Sequence, residues 1–176
     1  VWCRNLMFDR GMLRQESFED KVAVISVGNL AVGGTGKTPH TEYIVRLLKR
    51  NNIGPIAVLS RGYKRQSRGF VLAGPDITAT KLGDESFQIY RKFPDVIVAV
   101  DENRRDGIRK LLKLPVPPKV IILDDAMQHR YVKPGLSICL TSHNRMMYKD
   151  SLLPMGRLRG PMQGIERADV VVVTKC

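Results

Sequence analysis

A glycine-rich tract ending in Lys-Thr stands between an apolar, β-branched run at residues 22–27 and an amphipathic stretch at residues 38–50. The tract is Gly33-Gly34-Thr35-Gly36-Lys37-Thr38. A strand, a glycine-rich turn and a helix in this order predict a phosphate-binding loop, because glycines let successive backbone N–H groups curl around phosphate oxygens. Lys37 is predicted to lie near the β- and γ-phosphates, and Thr38 to offer its hydroxyl to Mg²⁺.

The tightest form of this motif has another glycine at position 31, where this chain has Ala31. A glycine-rich Lys-Thr tract also arises by chance as a surface turn. A chance turn rarely lies between a buried strand and an amphipathic helix, so the phosphate-loop interpretation is favoured. The predicted ligand is a nucleoside triphosphate with Mg²⁺.

The remaining pattern predicts an α/β fold: a wound, mostly parallel sheet of the P-loop NTPase type, with helices on both faces. Apolar runs rich in β-branched residues predict strands at 22–27, 55–60, 95–100, 119–123, 136–141 and 169–174. Helix-compatible segments lie at 38–50, 84–93, 104–112 and 162–168. A length of 176 residues with 43% hydrophobic residues fits one domain of ordinary size.

The charge balance favours anionic partners. Lys and Arg number 29 against 17 acidic residues, which gives a formal net charge of +12. Nucleic acid is not expected as a partner, since aromatic residues make up only 6% and do not alternate with basic ones. Three cysteines without a C-x-x-C pair favour neither a disulfide framework nor a zinc site, and a reducing cytoplasm fits best.

The first 20 residues are predicted to form a membrane-proximal amphipathic segment, and residues 21–176 the nucleotide-binding domain. Residues 1–10 place apolar and cationic side chains together, as at a helix end near a membrane interface. Packing of this helix on its own domain fits the periodicity equally well. No run reaches the roughly 18 apolar residues that a membrane-spanning helix requires.

Acidic residues follow or precede the predicted elements where a sheet of this type binds ligands. Asp124 and Asp125 end a hydrophobic strand, a position from which a carboxylate holds Mg²⁺ directly or through water. Asp84 and Glu85 open a helix. They either complement the helix dipole or act at the transferred phosphate, where a carboxylate accepts a proton or helps to hold the metal. The spacing leaves both interpretations open.

Taken together, four blocks of sequence resemble the tetraacyldisaccharide 4′-kinase (lipid A 4′-kinase) family. The blocks are Val27-Gly28-Asn29-Leu30 with the glycine-rich tract, Ser60-Arg61-Gly62-Tyr63, Gly83-Asp84-Glu85, and Asp124-Asp125 followed by Gln128-His129. The tract Leu152-Leu153-Pro154-Met155-Gly156-Arg157-Leu158-Arg159-Gly160-Pro161 also resembles a family segment, so the similarity covers nearly the whole chain.

The resemblance implies an ATP-dependent kinase that phosphorylates the 4′-hydroxyl of tetraacyldisaccharide 1-phosphate during lipid A synthesis. Lys37 and Thr38 are then the ligands of ATP and Mg²⁺, Asp125 is the metal-binding acid, and Asp84 is the favoured catalytic base. The residues expected to line the same cleft are Asp124, Glu85, Gln128 and His129. The implied location is the cytoplasmic face of the bacterial inner membrane, peripheral or through an N-terminal helix.

The chain departs from the family pattern at two places. Gly160 replaces a usual Glu, which removes an acidic contact, and Ala126-Met127 replaces a Gly followed by an apolar residue, which alters packing. Family members also carry an N-terminal membrane helix and a second subdomain, so the segment alone is expected to be a weak or inactive kinase.

Other interpretations remain open. The same loop and acid serve equally in a P-loop ATPase or nucleotide-dependent switch without a lipid acceptor, and a basic binding module needs neither. Arg61, Lys64, Arg65 and Arg68 either contact the acceptor phosphate or form a solvated loop, with the solvated loop favoured for the last three. No role is predicted for His40 or His143.

Overall fold

The protein is described from a computed structural model, which covers residues 6–8, 10–144 and 146–176. The strands are β1 (Glu16–Ser17), β2 (Ala23–Gly28), β3 (Ile56–Ser60), β4 (Val71–Leu72), β5 (Ile97–Val100), β6 (Val120–Asp124), β7 (Val132–Lys133), β8 (Leu136–Ser142) and β9 (Val170–Thr174). The main sheet has seven strands in the order β4-β5-β3-β6-β2-β8-β9, and a two-stranded sheet pairs β1 with β7. All neighbours in the main sheet are parallel except β4 and β5.

Helices cover both faces of this sheet, as the fold class predicted. The α-helices with a defined range are α1 (Lys37–Arg50), α2 (Ala79–Leu82), α3 (Asp84–Lys92) and α4 (Arg104–Leu111). Along β3, Ile56 and Val58 face the core formed with α1 and α3, whereas Ala57 and Leu59 face the core formed with α4. This alternation explains why the central strands are apolar at every position.

The six predicted strands are confirmed as β2, β3, β5, β6, β8 and β9, with ends within two residues of the predicted ones. Three strands of two residues each, β1, β4 and β7, were not predicted, because two residues show no periodicity. The four-residue helix α2 was not predicted for the same reason, because it is too short to show a periodicity.

The helix-compatible segment at 162–168 forms a helix at Met162–Arg167, and this helix is of the 3₁₀ type rather than the α type. The segment has only six residues and contains Gly164, which disfavours an α-helix and suits a short connector. A Cβ at Gly164 would lie 3.0 Å from Leu30, so the glycine also permits close packing.

Part of the predicted membrane-proximal segment, residues 1–5 and 9, lies outside the described residues. Phe8 and Phe18 are buried, and the Phe8 ring packs edge-on against Tyr131 at 5.0 Å. Among the described residues, no helix is both long and apolar enough to cross a bilayer.

The strand order determines where the site lies. Strands β2 and β6 are parallel neighbours, and Val27 is in register with Asp124. The loop after β2 and the acids at the end of β6 therefore meet at the same edge of the sheet.

Candidate active site

The glycine-rich tract forms the predicted turn between β2 and α1; we call residues 33–38 the phosphate loop. Gly36 has φ of 82°, a left-handed conformation that favours glycine. The His40 ring nitrogen Nδ1 lies 2.8 Å from the Gly36 carbonyl oxygen, so His40 donates to this turn, although no role was predicted for it. The first turn of α1 contains no acidic residue, which leaves the positive end of its dipole open to an anion.

Buried hydrogen bonds fix the phosphate loop from two sides. The Asn29 amide donates to the Thr35 hydroxyl at 2.8 Å, and the Thr174 hydroxyl donates to the Thr35 carbonyl at 3.0 Å. Thr174 ends β9, two strands away from β2 in the sheet. The loop is thus preorganised by the last strand as well as by the first turn of its own helix.

Asp124 ends β6 and is almost fully buried at 2% exposure. It accepts a hydrogen bond from the Thr41 hydroxyl of α1 at 3.1 Å. Burial, followed by the charges of Asp125 and Glu85, raises the pKa of Asp124 to about 6, against the opposing effects of Thr41 and Lys37. This carboxylate is therefore poorly satisfied by the protein alone.

Asp125 faces the lysine of the phosphate loop. Its backbone has φ of 50°, a strained conformation for a residue other than glycine. Its carboxylate lies 3.7 Å from the Lys37 ammonium and 3.3 Å from the Arg159 guanidinium. The Lys37–Asp125 distance is too long for a hydrogen bond, and the buried Asp125 Oδ1 has no hydrogen-bond donor.

These oxygens suit Mg²⁺ held jointly with nucleotide phosphates. Among the described residues no three His, Cys, Asp or Glu side chains group as a metal site. Mg²⁺ in kinases is commonly held by one or two carboxylates, with phosphates and water filling the remaining positions. Asp124, the unsatisfied oxygen of Asp125, and Thr38, one turn before Thr41 on α1, match that pattern.

The predicted Asp84 and Glu85 are exposed in the first turn of α3. The Ser86 hydroxyl lies 2.5 Å from that of Ser60 at the end of β3, which ties this turn to the same edge of the sheet. Glu85 lies close enough to Asp124 for its charge to raise the pKa of Asp124. Glu85 therefore lies near the acids at the end of β6, and Asp84 precedes it in the same turn.

The three predicted substrate-binding residues come together. Arg61, Gln128 and His129 line a cavity of about 520 Å³ together with Asp125 and Arg159. The Gln128 amide donates to the Asn29 carbonyl at 3.0 Å, and its oxygen accepts from Arg159 at 3.3 Å. Gln128 therefore also joins the cavity wall to the strand end that precedes the phosphate loop.

Two cations of the site were not given a role from the sequence. Arg104 is buried at 2% exposure and donates to the Asp101 carbonyl at 2.9 Å. Burial lowers the pKa of Arg104 to about 10, against the charges of Asp124 and Asp125, so it stays charged at neutral pH. In the sequence, the available signals for these two cations were the position of Arg104 after β5 and the position of Arg159 in the tract 152–161, which resembles a family segment.

The Ala126-Met127 pair, which departs from the family pattern, has a packing role. Met127 and Ala126 are buried, and a Cβ at Gly28 would lie 2.6 Å from Met127 Cγ. Gly160 is half-buried beside Arg159. His143 is exposed.

The basic loop, residues 61–69, is neither wholly solvated nor wholly available for binding. Lys64 and Arg68 are exposed, as a solvated loop requires. Arg65 is different, because its side chain is only 3% exposed and pairs with Glu102 at 2.5 Å. Neither alternative considered for Arg65 describes it.

Comparison with known proteins gives concordant matches. The family model for tetraacyldisaccharide-1-P 4′-kinase matches residues 1–176. The tetraacyldisaccharide 4′-kinase of Bacteroides thetaiotaomicron is 58% identical over 177 residues, which cover 100% of this chain and 46% of the relative. That of Flavobacterium johnsoniae is 57% identical over 173 residues, covering 98% of this chain and 50% of the relative.

A solved structure shares the fold. The crystal structure of the "apo" form of LpxK from Aquifex aeolicus in complex with ATP matches with a TM-score of 0.86 and 40% identity. The match covers 99% of this chain and 54% of the solved chain. The chain thus spans about half the length of the relatives it matches. On the family-model match and the relatives' identity, the chain belongs to the tetraacyldisaccharide-1-phosphate 4′-kinase family.

Proposed function

We propose that this chain provides the nucleotide-binding domain, residues 21–176, of a kinase that phosphorylates the 4′-hydroxyl of tetraacyldisaccharide 1-phosphate in lipid A synthesis. The observation that carries the proposal is the Lys37–Asp125 approach, 3.7 Å across the cleft between the phosphate loop and β6. The short distance places a cation and a carboxylate side by side on elements already fixed by hydrogen bonds, where the cation would contact phosphate oxygens and the carboxylate would contact a metal ion.

The proposed phosphate donor is ATP. The backbone amides of Gly33, Gly34, Thr35 and Gly36 and the N-terminus of α1 would hold the polyphosphate, with Lys37 near its β- and γ-phosphates. The similarity to a solved LpxK in complex with ATP supports this choice of nucleotide.

Thr38, Asp124, Asp125 and Glu85 would hold Mg²⁺ with the phosphates. The bound ion neutralises charge that develops on the β- and γ-oxygens. Asp124 is oriented by Thr41 of α1 and so favours the side of Thr38, whereas Asp125 faces Lys37. We therefore propose that Asp124 would hold the ion together with Thr38, and that Asp125 would hold it beside Lys37.

Asp84 is the proposed general base. In the transfer, the 4′-oxygen forms a bond to the γ-phosphorus while the bond from that phosphorus to the β–γ bridging oxygen breaks. The proton of the 4′-hydroxyl passes to the Asp84 carboxylate. Arg61, Gln128 and His129, which line the cavity beside Asp125, would contact the acceptor.

The acceptor is an anionic lipid, so we propose that the protein works at the anionic cytoplasmic face of the inner membrane. The formal charge of +12 supports this location, because each basic residue near such a surface contributes about 1 kcal/mol.

The proposal is tested with protein expressed from its complete reading frame, γ-labelled ATP and acylated disaccharide 1-phosphate. Label should appear on the disaccharide only with Mg²⁺, and Lys37→Ala should abolish it. Lys49→Ala is the matched control, because Lys49 is on the same helix and pairs with the exposed Asp95. Lipid-independent hydrolysis of ATP that the disaccharide leaves unchanged would instead support an ATPase or switch and contradict the kinase.

A further inference from the structure

The side chain of Arg65, which belongs to the basic loop, is buried beneath that loop. The Arg65 guanidinium donates to Glu102 at 2.5 Å and to the Gly69 carbonyl at 2.7 Å. The Gly69 amide in turn donates to the other Glu102 oxygen at 3.0 Å. Glu102 follows β5, so a single Arg–Glu pair closes the loop on itself and joins it to the sheet.

The stem of Arg65 runs directly beneath the turn that carries Arg61. A Cβ at Gly62 would lie 2.3 Å from Arg65 Cδ, so only glycine fits above this stem. The Gly62 amide donates to the Ser60 hydroxyl at 3.1 Å. The position of the turn after β3 thus depends on where Arg65 lies.

The same turn supports the start of α3. A Cβ at Gly83 would lie 3.0 Å from the Tyr63 carbonyl oxygen and 3.2 Å from Gly62, so the two backbones are in close contact. Asp84 follows Gly83 directly. The packing therefore runs from Arg65 through Gly62 to the residue that precedes Asp84.

Arg61 and Glu102 also separate two cavities. Both residues line the cavity of about 520 Å³ that contains Asp125, and both line a second one of about 480 Å³ under the basic loop. Arg61 and Glu102 therefore lie at the boundary between the space under the basic loop and the cavity that contains Asp125.

We infer that the Arg65–Glu102 pair is a positioning device: it holds Arg61 and the Gly62–Gly83 contact so that Arg61 and Asp84 face the acceptor side of the cleft together. Arg65 itself touches neither reactant. The inference rests on the proposed function for its catalytic consequence, while its structural part stands independently.

Arg65→Gln removes the charge, and Arg65→Lys retains the charge without the planar guanidinium, whose two terminal nitrogens contact Ser67 and Glu102. Both should lower kcat/KM for the acceptor by about 10- to 100-fold, because small misplacement of catalytic groups is costly. The Kd of Mg·ATP should stay within about twofold, since the phosphate loop is held separately by Asn29 and Thr174. If Arg65 acted through its charge alone, Arg65→Lys would instead keep the wild-type kcat/KM for the acceptor.

Two further variants keep the test decisive. Glu102→Gln is nearly isosteric and should act in the same direction if Arg65→Gln fails to fold. Arg109→Gln is the matched control, because Arg109 makes a forked pair with Glu16 on the exposed side of α4, and it should change neither parameter.

Hydrogen exchange separates the inference from the proposed function. Arg65→Gln should speed exchange of the Gly69 and Gln66 amides without any substrate present, since these amides bond to Glu102 and to Thr80. If the wild type transfers no phosphate, the proposed function fails while this exchange result still decides the structural part. Unchanged exchange, or unchanged acceptor kinetics in a wild type that is active, would overturn the inference.

Discussion

The two walls of the cleft are held in different ways. The phosphate loop is fixed by hydrogen bonds from three separate places: Asn29 before it, His40 within its helix and Thr174 at the end of β9. The basic loop is held to the sheet end after β5 through the pair of the buried Arg65 side chain with the exposed Glu102, with further bonds to α2.

This difference suits the ligands proposed for each wall. Phosphate groups are small and constant, so a loop preorganised by several buried bonds gains affinity without reorganisation. A large acylated acceptor needs a wall that presents cations at a set distance, and one charged pair is enough for that. We call the phosphate loop the first wall and the basic loop the second wall. We expect substitutions at the first wall to affect nucleotide binding and substitutions at the second wall to affect the kinetics with the acceptor.

The largest effect expected at the first wall comes from Lys37→Ala. The ammonium lies 3.7 Å from Asp125, and its loss leaves the carboxylate without its lysine partner as well as removing a phosphate contact. Removal of one partner from a close charge pair typically costs 2–5 kcal/mol, so the Kd for Mg·ATP should rise on the order of 100-fold. Calorimetric titration would measure this Kd. A rise no larger than that of Lys49→Ala would show that Lys37 does not contact the phosphates.

The second effect concerns Asp124, whose pKa is raised from 3.8 to about 6 in the folded protein. The folded state therefore holds its proton more tightly than the unfolded state, and stability falls as pH rises from about 4 to about 6. Because the pKa of Asp124 is about 6 rather than 3.8, about 3 kcal/mol of the free energy of unfolding is lost above pH 6.

Asp124→Asn should remove this loss, so the metal-free variant should exceed the wild type by up to about 3 kcal/mol at pH 7 and by little at pH 4. Urea unfolding at several pH values would measure the gain, which should be accompanied by loss of phosphoryl transfer. Parallel pH profiles of the two proteins would show that Asp124 does not carry this cost.

A third prediction tests how tightly the first wall is packed. Gly28→Ala would place a Cβ 2.6 Å from Met127 Cγ and 2.9 Å from the Met127 backbone nitrogen. Such overpacking typically costs about 1–3 kcal/mol of the free energy of unfolding. Gly74→Ala is the control, because no atom lies within 4 Å of its added Cβ. Equal melting temperatures for the two variants would contradict this packing.

The smallest effect is expected at Thr174. Thr174→Val keeps the side-chain shape and removes the bond to the Thr35 carbonyl. Loss of one such bond should lower the free energy of unfolding by about 1 kcal/mol. A weaker affinity for Mg·ATP with an unchanged acceptor KM would show that β9 supports the first wall. An equal effect on the affinity for Mg·ATP and on the acceptor KM would contradict separate support of the two walls.

The sequence predicted the first wall better than the second. A strand, the glycine-rich tract and a helix are adjacent along the chain, so the geometry around Lys37 is local and follows from residue type. The meeting of Asp124 and Asp125 with this loop also followed, since ends of parallel strands share one edge.

The second wall depends on contacts between distant positions. Arg65 and Glu102 are 37 residues apart, and nothing in their own segments marks one as buried and the other as its partner. Arg104 was likewise missed, because its position after β5 marks the ligand-binding edge of the sheet but does not indicate that its side chain is buried near two acids. Burial of charged groups is set by packing that single-sequence patterns do not contain.

The most direct test of the account is hydrogen exchange of the phosphate loop amides with and without Mg·ATP. Saturating nucleotide should protect the amides of residues 33–38 from exchange, because these amides are proposed to donate hydrogen bonds to the phosphate oxygens. Lys37→Ala should weaken that protection. Saturable nucleotide binding that leaves these amides unprotected, or the absence of binding by folded protein, would contradict the central claim.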